Sequence, residues 1–159
     1  MSNLMNIDEV DERILEQLQS NARRSNTALA EAASVSPSTM LARVRSLESR
    51  GVITGYHANV SLPALDRNVE ALVSVQLEEK SPEAVEKFIA EVWKLDATIS
   101  VTMLTGAFDF VVHITARDVT DLGDIVLSRF ACAPNVAAEQ TAIIFDHRTK
   151  HIVGPLSDS

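Results

Sequence analysis

Apolar residues recur at helical spacing three times within the first fifty positions. Val10, Ile14, Leu15 and Leu18 fall at i, i+4, i+5 and i+8 behind Asp8, whose carboxylate can cap free backbone N–H groups, and predict a helix over about residues 8–20. Asn26 precedes the alanine-rich run from Thr27 to Ala33, which predicts a second, two-turn helix with Asn26 as its N-cap. Ser36-Pro37 then places a cap residue before a proline at the first helical position, where a missing N–H costs nothing. Met40, Val44 and Leu47 continue this third helix at i, i+4 and i+7, and Gly51 stops it after Arg50.

Beyond Gly51 the period changes. Val52 to Val60 is rich in β-formers and reads as a strand, broken by Ser61-Leu62-Pro63. A strand over Ala71 to Leu77 follows, then a helix opened by Ser81-Pro82 with Val85, Phe88, Ile89 and Val92 on one face and Trp93 and Leu95 at its close. Two strands, Ile99 to Leu104 and Phe108 to Thr115, flank a turn at Thr105-Gly106-Ala107. A helix carrying Leu122, Ile125, Val126 and Phe130 and a strand around Gln140 to Phe145 complete the order β-α-β-β-α-β. The fold class is therefore α+β: a helix-turn-helix over 1–60, a linker over 61–69, a ferredoxin-like βαββαβ sandwich over 70–153 and a frayed tail over 154–159. Two helices cover one face of such a sheet, and Leu72, Val111 and Ile144 on the other predict self-association.

The chain has 159 residues and one cysteine, Cys132, so neither an intramolecular disulfide nor a multi-thiolate metal site is available. Met1 to Glu9 shows no basic stretch followed by an apolar one, and no apolar run approaches the roughly 18 residues of a membrane helix. A reducing cytoplasm is expected. The formal net charge of −8 opposes phosphate binding at first sight, yet the cations are segregated: residues 21–50 hold five arginines against two glutamates, and all four lysines lie after position 61. With Met40, Val44 and Leu47 inward, the third helix offers Ser36, Ser38, Thr39, Ala42, Arg43 and Arg45 to a DNA groove, with Arg43 placed for guanine O6 and N7. Arg23, Arg24 and Arg50 would contact phosphates. On this pattern alone, a small helical bundle with solvated arginines is an equal reading.

Enzymatic chemistry is weakly represented. His57, His113, His147 and His151 are scattered, and neither a nucleophile elbow nor a phosphate-binding glycine loop occurs. His147 and His151 stand four apart where no helix is expected, so no metal is assigned, and His113 reads as a sheet-face residue at an oligomer contact. Cys132 and Trp93 read as packing residues, and Glu78, Glu79, Asp118, Asp121 and Asp124 as turns and solvated helix faces.

Four stretches carry a resemblance: Asp8-Glu9-Val10-Asp11-Glu12-Arg13-Ile14-Leu15, then Leu29-Ala30, then Val35-Ser36-Pro37-Ser38, then Arg43 to Tyr56. Together with Val101-Thr102-Met103-Leu104-Thr105-Gly106-Ala107-Phe108-Asp109-Phe110 they resemble the Lrp/AsnC, or feast/famine, family of transcription regulators over residues 6–153. The resemblance implies a sequence-specific regulator binding double-stranded DNA, a homo-oligomer from dimer to tetramer or octamer, and cytoplasmic, nucleoid-associated action. It also implies an amino-acid effector in place of any cofactor, held between dimers near Met103, Leu104, Thr105, Gly106, Ala107, Phe108 and Asp109 and near Gln140 and Thr141. Asp109, Gln140, Thr141 and the turn amides have the chemistry to hold a zwitterion, while Gly106 is equally a plain turn glycine. Ala107 stands where the family commonly has an acid, Ser34 where glycine is usual, and Phe108 and Phe110 replace tyrosines, which makes the site more apolar. A DNA-architectural protein of low sequence preference is the alternative, and a small-molecule enzyme a distant third.

Overall fold

A computed structural model describes residues 7–156; the first part of the N-terminal stretch and the last three residues of the expected frayed tail lie outside the described residues. The chain forms two compact units, one running to Asn59 and including the tail from Arg148, the other spanning Val60–His147.

The first unit is three helices around one core. α1 (Glu9–Ser20) starts at Asp8, whose Oδ1 accepts from the backbone N–H of Val10 and Asp11 at 3.0 and 2.9 Å. α2 (Asn26–Ala33) is capped by Ser25, not by Asn26: the Ser25 hydroxyl accepts from Ala28 N at 3.2 Å, one residue earlier than expected, because Asn26 already has helical geometry. α2 ends on Ser34 in the left-handed conformation at φ 56°, with Val35 N donating to Ala30 O at 3.0 Å in a Schellman closure. α3 (Pro37–Ser49) opens on Ser36 and stops at Gly51, which has φ +70°. Ile14, Leu18, Leu29, Ala30, Met40, Val44 and Leu47 are buried together, with Val52 and Ile53 packed against them. The strand expected over residues 52–60 does not form. The segment after Ile53 is exposed and pairs with no strand among the described residues, and β-propensity without a ladder does not make a strand.

The second unit begins with a 3-10 turn, Pro63–Leu65, and continues as β1 (Val69–Leu77), α4 (Pro82–Trp93), β2 (Thr98–Met103), β3 (Phe110–Ala116), α5 (Val119–Val126) and β4 (Val136–Ile143). The four strands form one antiparallel sheet in the order β2-β3-β1-β4, as a βαββαβ chain requires. Ala71, Val73, Val75, Leu77, Phe110, Val112 and Ile114 alternate onto the helix side, where Phe88, Val92, Leu122 and Phe130 cover them. Phe88 and Phe110 meet with ring centroids 4.9 Å apart. α5 passes into a π-helical turn, Leu127–Ala131, which sets Phe130 into the core. On the opposite face Leu72 is exposed and Val111 and Ile144 half-buried, and the expected apolar surface is interrupted by a polar contact between His113 Nε2 and Glu70 Oε2 at 3.0 Å. Trp93 and Cys132 are corrections: both are exposed, Trp93 at the last residue of α4 and Cys132 just past the π turn, beyond the stripes their helices bury.

Candidate nucleic-acid interface and effector region

The helix-turn-helix presents one solvent stripe. Ser38, Ala42 and Arg45 follow one another at steps of four and three along α3, all exposed, with Thr39 and Leu41 beside them. Arg45 forms no ion pair or hydrogen bond among the described residues, so its guanidinium faces water with all five donors open. At the helix start Ser36 Oγ lies 3.0 Å from Ser38 Oγ and 2.8 Å from Thr39 Oγ1 and accepts from Thr39 N at 3.2 Å. Ser36 is thereby a cap first, with Ser38 and Thr39 gathered around it.

Arg43 points elsewhere than expected. Its Nη1 donates to Asp8 Oδ2 at 2.8 Å and to Asp11 Oδ1 at 2.7 Å, so the guanidinium spans from α3 to the start of α1 instead of reaching outward. Asp11 is only 5% exposed although it is a carboxylate, and Arg50 Nη1 stands 3.9 Å from its other oxygen. Arg50, the residue that caps the end of α3, faces the same carboxylate as Arg43, and the two side chains are 26% and 31% exposed. The Asp11 backbone N–H and then the Arg43 guanidinium hold the Asp8 carboxyl below the usual range, and Asp11 and Asp8 raise Arg43. Asp11 was readable in advance only as a charged residue inside the α1 apolar stripe. Arg23 is exposed and has no ion pair among the described residues, while Arg24 Nη1 donates to Gln17 Oε1. Tyr56 donates its hydroxyl to Glu48 Oε1 at 3.0 Å, and burial is the main reason its pKa is raised. The tail returns to α1: Gln19 Nε2 donates to Val153 O and Val153 N donates to Gln19 Oε1, both at 3.0 Å.

In the second unit residues 104–109 form a turn longer than the three residues expected. Met103, Leu104, Thr105, Gly106 and Ala107 are exposed, and Phe108 and Asp109 half-buried. Gly106 has φ +142° with open space where a Cβ would stand, so its backbone and not crowding calls for glycine. Asp109 anchors the turn: Oδ2 accepts from Leu77 N at 2.9 Å, Oδ1 pairs with Lys80 Nζ at 2.7 Å, and Asp109 N donates to Val75 O at 2.9 Å. Lys80 first, then the Leu77 N–H, lowers its pKa. Gln140 and Thr141 lie on β4, which β1 separates from the hairpin, and Thr141 Oγ1 donates to Glu139 Oε2 at 3.0 Å. Within one copy, β1 therefore stands between 103–109 and 140–141. Among the described residues no cluster of three or more His, Cys, Asp or Glu could hold a metal ion, and no helix is long and apolar enough to cross a membrane.

A helix-turn-helix whose second helix presents a polar stripe ending on the exposed Arg45, joined to a ferredoxin-like sheet, defines a two-domain DNA-binding regulator. Residues 7–54 match the family model described as winged helix-turn-helix DNA-binding, and residues 70–151 match the Lrp/AsnC ligand binding domain. The chain is 37% identical over 141 residues to the HTH-type transcriptional regulator AldR of Mycobacterium tuberculosis, covering 89% of this chain and 79% of that one. Among solved structures it resembles a Neisseria meningitidis transcriptional regulator in complex with L-Met (TM-score 0.83, 28% identity, covering 91% of this chain and 94% of that one). E. coli AsnC is similar at TM-score 0.81 and 26% identity, covering 92% of this chain and 99% of that one. The protein belongs to the Lrp/AsnC family of transcription regulators.

Proposed function

We propose that this regulator reads double-stranded DNA with the exposed stripe of α3: Ser38, Thr39 and Ala42 at the bases, Arg45 as the bidentate guanine contact, and Arg23 and Arg24 on flanking phosphates. The observation that carries this reading is the unpaired, outward guanidinium of Arg45 on the second helix of the helix-turn-helix, while Arg43 is held by Asp8 and Asp11. Its second unit holds an aliphatic or thioether amino acid at residues 103–109 and 140–141, the site being completed between copies, because the two segments are separated within one copy. The L-Met complex of the Neisseria relative supports that ligand class. Homo-oligomers form through the sheet face bearing Leu72 and Val111 and grow from dimers to tetramers or octamers. Action is cytoplasmic and nucleoid-associated, without catalysis.

Fluorescence anisotropy on duplex DNA from upstream of the gene, against an unrelated duplex and across salt concentrations, tests the DNA assignment. Arg45→Ala should cost about 1–3 kcal/mol and relax base preference, whereas Arg23→Ala should weaken all duplexes alike and reduce the salt slope by about 1. Equal loss on every sequence in Arg45→Ala sinks the base-reading role. Equal binding of the wild type to both duplexes would make the protein an architectural binder.

A further inference from the structure

The sheet face turned away from the helices carries a titratable group at its centre. β3 and β1 are the two inner strands, and the face they present holds Val111 and His113 beside Leu72 and Ser74. In register, His113 stands opposite Leu72 on one side and opposite Ser100 of β2 on the other, while Ala142 of β4 stands opposite Leu72. One row of side chains, Ser100-His113-Leu72-Ala142, therefore crosses the whole sheet. A second copy that covers Leu72 covers His113 with it.

The His113 side chain is only 14% exposed, and two groups pack on it. Its Nε2 lies 3.0 Å from Glu70 Oε2, and its ring is parallel within 14° to that of His147, with centroids 6.1 Å apart. Few other charges surround the ring. β2 and β4 bring only uncharged residues to this face, among them Ser100, Thr102, Gln140 and Ala142. The segment past β4 brings His147 itself, with Asp146 and Arg148 as its neighbours in the chain, and two residues along β3 the guanidinium of Arg67 donates to Thr115 Oγ1 at 2.7 Å. With both imidazoles neutral, the Glu70 carboxylate is a lone negative charge, and a two-fold contact lays it in a dry interface that also holds its counterpart from the other copy. A proton taken up by the imidazole pair turns the group into a neutral ion pair, which is less costly to bury and meets an identical neutral group. Covering the face therefore takes up a proton from each copy, and a process that takes up protons is favoured as pH falls.

We infer that Glu70, His113 and His147 make the pairing of two copies through this face proton-dependent, tightening it as pH falls from about 8 to about 6, the range in which histidine changes charge. The inference rests on the reading of the sheet face as the contact between copies. Assembly, and with it the number of helix-turn-helix units presented to DNA together, then responds to pH without any ligand.

Subunit exchange between two fluorescently labelled populations of the full chain, followed by energy transfer from about pH 8 to about pH 6 at constant ionic strength, provides the test, with sedimentation velocity reporting assembly size. Wild-type exchange should slow about tenfold or more across this range, as uptake of up to one proton per copy allows. The variants should depart in opposite directions, which a general loss of folding cannot do. Glu70→Gln, neutral throughout, should exchange slowly at every pH, and the double variant His113→Gln/His147→Gln, which takes up no proton, should exchange fast at every pH. Wild-type exchange that ignores pH, or a pH profile that both variants retain, overturns the inference. Leu72→Glu separates this result from the reading beneath it. Assembly that survives Leu72→Glu shows that the sheet face is not the contact, and both fall. Assembly that Leu72→Glu breaks, in a protein whose wild-type exchange ignores pH, leaves the contact standing and removes only its proton dependence.

Discussion

Replacing Arg43 by methionine tests the reassignment of this residue from reader to brace. The substitution keeps the aliphatic stem and removes the guanidinium that donates to Asp8 at 2.8 Å and to Asp11 at 2.7 Å. Asp11, whose side chain is 8% exposed, would keep only Arg50 at 3.9 Å. Breaking a fully buried pair from one side costs about 3–5 kcal/mol, and exposed pairs are worth about 0–1 kcal/mol. Arg43 is 31% exposed at its side chain, between those limits, so about 1–3 kcal/mol is expected for the first unit. A unit of some sixty residues should then melt roughly 4–8 °C lower per kcal/mol, followed by circular dichroism at 222 nm and by amide exchange in α1 and α3. Asp11→Leu in the same background removes the stranded carboxylate and should recover most of the loss. A double-mutant cycle should accordingly give a coupling energy of about 1–3 kcal/mol. DNA affinity of Arg43→Met, measured well below its melting temperature, should fall equally on specific and unrelated duplexes. An unchanged melting temperature together with loss of base preference would refute the brace and return Arg43 to the DNA.

Ser34→Gly should stabilise the first unit by about 1 kcal/mol, because a non-glycine residue at φ 56° pays roughly that much for the left-handed conformation; a lower denaturation midpoint would contradict it. Asp109→Ala strands the part-buried Leu77 N–H at a cost of about 1–3 kcal/mol and should speed amide exchange in residues 104–109, whether or not effector is present. Acid stability follows the lowered carboxyls. Asp8, Asp109 and Asp121, the last at about 2, stabilise the fold at pH values above the ordinary carboxyl value of 3.8, and the contribution fades as pH falls through the folded values. Acid titration should therefore show stability declining from about pH 4 down towards 2, less steeply in Asp121→Asn, and a decline that begins near neutrality would exclude this origin.

The elements of both domains were legible in the sequence because their determinants are local. A carboxylate at Asp8, the Ser36-Pro37 start, Gly51 and the Met40-Val44-Leu47 stripe define helices from within a few residues of themselves. The alternation from Ala71 to Leu77 marks a strand buried on one side for the same reason. The exposed positions Ser38, Ala42 and Arg45 followed from helical spacing, whereas the turn at Ser34 was marked only by the resemblance, as a position where glycine is usual. What spacing does not carry is the partner of a side chain far along the chain. Only packing joined Arg43 to Asp8 and Asp11, 35 and 32 residues away, Gln19 to Val153 across 134, and Arg67 to Thr115 across 48. Composition likewise marked residues 52–60 as a strand, but a strand exists only where another offers it hydrogen bonds, and within this chain none of the described residues does. Trp93 and Cys132 look like core residues by type and lie outside it by position, since each falls just past the turn of helix that its neighbours bury. Local sequence determined which segments curl, extend and turn. The tertiary structure decided which charges face each other and which face outward, because a charge takes its role from the groups that packing brings within reach.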